Sequence, residues 1–374
     1  MIKLRMFGWL RKNPVLSVSV LLALMSSVLV PPDGAYLGYL DFRVLSLLFC
    51  LMAAVAALGE GRALEAVSFW LLQKAPSLRA LALALVSLCF FSSMLITNDV
   101  ALITFVPLAL LVLRGEGRDR VIYVVVLQTA AANLGSMLTP LGNPQNLFLY
   151  SHYALSLGAF LRAVLPAGLA SASLLAVLVF LLPNAPLRVS ARGEGPKLVG
   201  SAFGKGLFLL AASLLAVLRI LPWEAALLLT FLLLAVSARN LFLRVDWGLL
   251  ATFCGFFVFV GNLSRLSLVR EALAPLIAGR ELLAGALVSQ LISNVPAALM
   301  LSAFTENGAR LLTGVNVGGL GTLIASLASV ISFQLYQKSD GARAGRYLAV
   351  FSAVNFGLLT ALLAFCALWG AFFP

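Results

Sequence analysis

The chain has 374 residues, of which 62% are hydrophobic and 11% charged, and its mean hydropathy is +1.05. Soluble domains are close to half apolar and a quarter charged, so this surplus excludes a soluble fold and points to a bilayer. The net charge of +12 does not mark a nucleic-acid partner, because the Lys and Arg residues sit in short loops between apolar runs and form no single patch.

A helical span needs about 20 apolar residues. In chain order, full crossings are predicted over 13–31, 37–59, 121–150, 157–183, 202–220, 223–238, 247–263, 311–336 and 347–372. The apolar runs are continuous rather than alternating, which excludes an outer-membrane barrel. Lys3, Arg5, Arg11 and Lys12 precede the first run, and no small-residue cleavage site follows it in Pro31-Pro32-Asp33-Gly34, so it reads as an uncleaved span. The run 80–113 carries a single charge, Asp99, near its middle and is predicted to be a re-entrant hairpin turning at Thr97-Asn98-Asp99. Residues 121–150 are too long for one span and contain Asn133, Gly135, Pro140, Gly142, Asn143 and Pro144, so a broken helix is expected there. Residues 282–305 form a second hairpin turning at Ser293-Asn294-Val295-Pro296, and 311–336 form a second broken helix, interrupted at Gly314, Asn316, Gly318, Gly319 and Gly321. Segments 62–75 and 266–279 are amphipathic and are expected along the interface. Cys50, Cys89, Cys254 and Cys366 all lie in apolar runs and read as small core residues.

Loop charge orients the chain. With both hairpins re-entrant, the N-terminus, 60–79, 114–120, 184–205, 239–246 and 337–346 fall on one side with most of the Lys and Arg. Residues 32–36, 151–156 and 221–222 fall opposite with none. Cytoplasmic loops are the basic ones, so a cytoplasmic N-terminus and an external C-terminus are expected in a cell (plasma or inner) membrane. The loop 264–281, with Arg265, Arg270 and Arg280 offset in part by Glu271 and Glu281, is the exception.

The polar residues recur in order. Ser93, Thr97 and Asn98 return as Ser289, Ser293 and Asn294, all at one offset. Asn133-Leu134-Gly135, Thr139 and Asn143 return as Asn316-Val317-Gly318, Thr322 and Ser326, and Asp41-Phe42 returns as Asp246-Trp247. Because the hairpins enter from opposite sides, the two copies are expected to have inverted topology, with the solute site where they meet. The expected fold is therefore an all-α polytopic membrane protein of two such repeats, 1–183 and 202–374, joined by a cytoplasmic linker, 184–201.

At each hairpin tip a half-helix begins, with Asn98 or Asp99 as cap in the first copy and Ser293 or Asn294 in the second, where Pro296 sits in the first turn. A helix start presents free N–H groups and partial positive charge, which suits an anion. Ser93 and Thr97 are four residues apart, as are Ser289 and Ser293, so each pair faces one way on its arm and can gather with the tip Asn around a small cation. A buried hydroxyl also commonly bonds its own helix carbonyl. Asp99 breaks the symmetry, since Val295 is its counterpart, and an acid at that depth is a candidate carrier of a proton or ligand of Na⁺. His152, the single histidine, falls in a predicted external loop. Gly200, Gly204 and Lys205 have the wrong spacing for a phosphate loop, and Gly206 stands where Ser or Thr is needed. Clustered His, Cys or paired carboxylates of an enzyme are not found, and no cofactor is expected.

Thr97-Asn98-Asp99-Val100-Ala101-Leu102, Asn133-Leu134-Gly135 running to Gly142-Asn143-Pro144-Gln145-Asn146, Asp246-Trp247 and Ser293-Asn294-Val295-Pro296 resemble the ion transporter superfamily. That group includes divalent anion/sodium symporters, citrate transporters, arsenite-efflux permeases and a class of sodium/proton antiporters. The likeness covers nearly the whole chain. It implies a homodimer whose mobile transport domain moves as an elevator, with the solute held between the Asn-containing tips and a cation site near each. By that likeness Ser93, Thr97 and Asn98 line one cation site with the backbone near Gly142 and Asn143. Ser289, Ser293 and Asn294 line the other with Ala325 and Ser326. The solute is expected among Thr97, Asn98, Asp99, Asn143, Ser293, Asn294 and Ser326. Dicarboxylate symporters tend to carry Ser-Asn-Thr at both tips, whereas this chain has Thr-Asn-Asp and Ser-Asn-Val. The Asn98-Asp99 pair is more similar to the arsenite and sodium/proton branches. The expectation is a secondary active transporter of a small anion driven by Na⁺ or H⁺, with arsenite efflux or Na⁺/H⁺ exchange as the alternative.

Overall fold

A computed structural model describes residues 14–62, 64–66, 69, 75–187 and 197–372. These are almost entirely helical. The first half carries α1 (Pro14–Leu29), α2 (Phe42–Glu60), α3 (Leu78–Ile96), α4 (Asn98–Val112), α5 (Arg118–Ser136), α6 (Pro144–His152) and α7 (Leu157–Phe180). The second carries α8 (Gly200–Val217), α9 (Trp223–Ser237), α10 (Trp247–Ser264), α11 (Ser267–Ile277), α12 (Glu281–Ile292), α13 (Asn294–Ser302), α14 (Gly308–Val317), α15 (Leu327–Gln337) and α16 (Ala344–Phe372).

Among the described residues, α2, α3, α7, α8, α10 and α16 are long and apolar enough to cross a bilayer, making six, or up to seven if α11 and α12 count as one span bent by 113°. Nine crossings were expected from apolar run length. The difference has two causes. The runs 121–150 and 311–336 are each cut into short helices, and α1 and α9, described over 16 and 15 residues, are shorter than a full span. The first arm of the predicted hairpin, α3, is 19 residues long and thus exceeds the short arm expected. The amphipathic segment 266–279 forms α11, while most of 62–75 and the middle of the linker lie outside the described residues. His152 is the last residue of a helix, not a loop residue, and stacks on Phe148.

Local geometry repeats where the sequence does. Asp41 and Asp246 have nearly the same backbone angles, and each caps its helix by accepting a hydrogen bond at 2.9 Å, from the amides of Val44 and Leu249. Removing such a cap costs about 1 kcal/mol. α3 packs on α5 and α12 on α14, and between the halves α4 packs on α15 while α13 packs on α6. α5 meets α16 as α14 meets α7, and α1 meets α10 as α8 meets α2. α5 lies at the centre, buried at every residue from Val124 to Ser136. Close approach of α5 to α3 depends on Gly135, where a Cβ would come within 2.0 Å of the Phe90 carbonyl oxygen; Gly318 is its counterpart, 2.6 Å from the Ala286 Cα by the same measure. At one end, Arg265 after α10 pairs with Asp33 after α1 at 2.8 Å, and that guanidinium holds the Asp33 carboxyl below the usual carboxylate range.

Candidate functional site

The two tips have one geometry. Thr97 sits at φ +73°, ψ +150° and Ser293 at φ +75°, ψ +154°. This region is open essentially to glycine alone, and a residue with a side chain costs about 1–3 kcal/mol there. Thr97 and Ser293 occupy the cap positions of α4 and α13, without a side-chain cap bond. The caps expected at Asn98 or Asp99 are therefore corrected to Thr97. The reason is that the Asn98 side chain is committed elsewhere: its amide donates to Asn133 Oδ1 at 3.0 Å, and its Oδ1 accepts from the Asp99 amide at 3.0 Å.

A lattice of buried amides and hydroxyls joins the two halves. Asn133 Oδ1 also accepts from Ser326 Oγ at 2.8 Å, and Asn133 Nδ2 donates to Ser329 Oγ at 3.3 Å. The mirror contacts are present. Asn143 Nδ2 donates to Asn316 Oδ1 at 3.0 Å, and Asn316 Nδ2 donates to Asn146 Oδ1 at 2.6 Å. Each Asn of a first half-helix thus reaches the cap of the other half's second half-helix. Asn143 caps α6 by accepting from the Asn146 amide at 2.9 Å, and Ser326 occupies the cap position of α15.

The same breaks touch the tips. The Asn98 amide donates to the Gly142 carbonyl at 3.2 Å, and Ser293 Oγ donates to its counterpart, the Ala325 carbonyl, at 3.4 Å. Thr139 Oγ1 donates to the Met94 carbonyl, and Thr322 Oγ1 donates to the Gln290 carbonyl at 3.0 Å. Asn294 lies with its amide nitrogen against Gly319, where a Cβ would stand 2.9 Å away. One polar network thus runs from Asn98 through Asn133 to Ser326, and Ala325 beside it accepts from Ser293, the neighbour of Asn294. Ser93 and Ser289 are fully buried, and their hydroxyls donate to the carbonyls of Phe90 and Gly285. Their lone pairs remain available, so a cation is compatible with both hydroxyls. Asp99 is half-buried, and no group among the described residues hydrogen-bonds or ion-pairs with its carboxylate. Among the described residues no group of three or more His, Cys, Asp or Glu is placed to hold a metal ion.

Reading the sequence placed the tips and breaks but not the cross-bonding. Asn146, Ser329, Ser136 and Gln290 were not singled out, although Asn146 stands inside a motif that was and Gln290 follows Ser289 directly. Gln290 Nε2 ties α12 to the carbonyls of Gly318 and Leu320 at 2.8 and 3.0 Å. Two pockets lie away from the tips. One, of about 740 Å³, is bounded by His152–Leu155 and 302–309; the other, of about 620 Å³, by the end of α4, the start of α5 and the residues that close α15. They occupy matching positions in the two halves, with Tyr153 in one and Tyr336 in the other.

A family profile described as citrate transporter matches residues 4–312. The chain belongs to the citrate transporter family. Family relatives carry the likeness further. An uncharacterized transporter of Methanocaldococcus jannaschii is 29% identical over 95% of this chain and 96% of its own length. An inner membrane protein of Escherichia coli is 32% identical over 69% of this chain and 70% of its own. A silicon efflux transporter of Oryza sativa is 31% identical over 38% of this chain and 29% of its own. With its apolar helices, this member of the citrate transporter family is a multi-pass membrane transporter, and not an enzyme.

Proposed function

We propose that the chain is a secondary active transporter of a small anion, carboxylate-like or inorganic, coupled to Na⁺ or H⁺. The observation that carries this reading is the single lattice in which the starts of α4 and α13 meet through Asn133 and Ser326. The first N–H groups of a helix have no backbone acceptor within it; at α4 those of Asn98 and Asp99 are taken by the Gly142 carbonyl and by Asn98 Oδ1, and what the two starts offer a solute is the positive ends of two dipoles. Thr97, Asn98, Asp99 and Asn143 from one half, with Ser293, Asn294 and Ser326 from the other, hold the solute. Ser93, Thr97, Asn98 and Gly142 form one coupling-ion site, and Ser289, Ser293, Asn294 and Ala325 the other. Inverted repeats, an elevator movement within a homodimer, and a plasma or inner membrane with the N-terminus cytoplasmic belong to the same proposal; the paired contacts between halves favour them.

A second reading is proton-coupled efflux of arsenite or a similar inorganic solute, or Na⁺/H⁺ exchange. Asp99 favours it, as a partner-free carboxylate at one tip whose counterpart is Val295. A thermal-shift screen of the purified protein against carboxylates, sulfate, phosphate and arsenite, with and without Na⁺, separates the two. A ligand bound to the native state at about 100 times its Kd adds about 2.7 kcal/mol of stability. Stabilisation by an anion that grows with Na⁺ is expected. Stabilisation by arsenite alone, insensitive to Na⁺, would select the second reading.

A further inference from the structure

The pocket of about 620 Å³ beyond α4 has two unlike walls. Pro107, Leu110 and Leu111 line one, and Leu111 is 64% exposed, an apolar surface open to its surroundings. Arg114, Arg118 and Lys338 line the other. Asp340 also lines the pocket and pairs with Arg114 at 2.8 Å, both side chains largely solvent-exposed, so the lining keeps an excess of two cations. Arg118 packs its guanidinium against Gly341, a left-handed glycine whose missing Cβ leaves that space. Neither Arg118 nor Lys338 has a carboxylate partner among the described residues.

The fold supplies a control. The matching pocket of the other half, beyond α13, contains no Lys or Arg and is lined instead by His152 and Glu306. The basic wall is therefore not dictated by the duplicated framework. A cleft with cations at its rim and an exposed apolar flank fits a molecule with an anionic head and a hydrocarbon tail. We infer that this pocket binds an anionic phospholipid, its phosphate on Arg114, Arg118 and Lys338 and an acyl chain along Pro107, Leu110 and Leu111.

The test uses the full-length protein in neutral detergent, titrated with phosphatidylglycerol, with phosphatidylcholine and with soluble glycerol phosphate, and read by melting temperature and by native mass spectrometry. Phosphatidylglycerol should raise the melting temperature and remain bound, while the other two do neither. The double variant Arg118→Gln/Lys338→Gln should lose about fivefold in lipid affinity for each cation removed, and Arg118→Lys/Lys338→Arg should keep it. Leu111→Asn, which leaves the rim intact, should weaken the lipid effect, and Glu306→Gln in the matching pocket should leave it unchanged. Equal stabilisation by phosphatidylcholine, full stabilisation by glycerol phosphate alone, or an unaltered response in the charge-removing and Leu111 variants would each overturn the assignment.

Discussion

Asn294 has a tip position, a half-helix start and almost complete burial, at 4% exposed, yet its amide nitrogen is directed at a glycine rather than at a partner side chain. Asn294→Ala should abolish transport and leave folded protein in the membrane; normal uptake would remove Asn294 from the solute site. Asp99→Asn keeps the size of the side chain and removes its titration. Transport by this variant should lose its pH dependence, whereas an unchanged pH profile would show that the carboxylate carries no proton. Thr97 and Ser293 hold a glycine-only backbone with non-glycine side chains, so each hydroxyl is held there at a conformational cost. Thr97→Gly and Ser293→Gly should each raise stability by about 1 kcal/mol net of glycine's added chain entropy, while lowering coupled transport. Unfolding in a mild detergent, set beside vesicle uptake, measures both halves of that trade.

At the scale of elements, the helix breaks at Thr97 and Ser293 and the interruptions near Gly142 and Ser326 were legible because their signals are local: a polar cluster inside an apolar run, and Gly with Pro where a span is too long. The order of Asp, Ser, Asn and Gly landmarks gave the correspondence between halves. Helix length was less legible, since an apolar run does not say whether one helix spans it: 121–150 and 311–336 each break into short helices, while 78–96 forms one helix of 19 residues. The bonding of Asn133 to Ser326 and of Asn316 to Asn143 was not legible at all, because the partners stand 193 and 173 positions apart and spacing along one helix says nothing about them. The inter-helix glycines make a separate prediction. Gly135→Ala places a methyl group within 2.0 Å of the Phe90 carbonyl oxygen, a backbone atom that cannot step aside. It should lower stability by at least about 1–3 kcal/mol, as overpacking does. Gly345→Ala, which meets nothing within 4 Å, is the matched control. Equal melting temperatures for the two variants would mean that α3 and α5 are less tightly apposed than described.

For the whole molecule, the charge of its loops directs the orientation. A reporter fused after residue 374 should be located outside the cell, as the basic loops direct; a cytoplasmic reporter would revise the number of crossings. Composition alone settled the membrane class, and the family comparison settled the trade of the molecule as transport. The amide lattice also carries a consequence for how the protein is made. Asn133, Asn143 and Asn146 leave the ribosome long before Asn316, Ser326 and Ser329 exist to meet them. Polar groups in hydrocarbon without partners cost several kcal/mol. Asn98, Ser136 and the carbonyls between α5 and α6 already serve much of this polar set within the first half, so the newborn half is left short at Asn133 Nδ2 and Asn146 Oδ1, which Ser329 and Asn316 complete once the last third of the chain arrives.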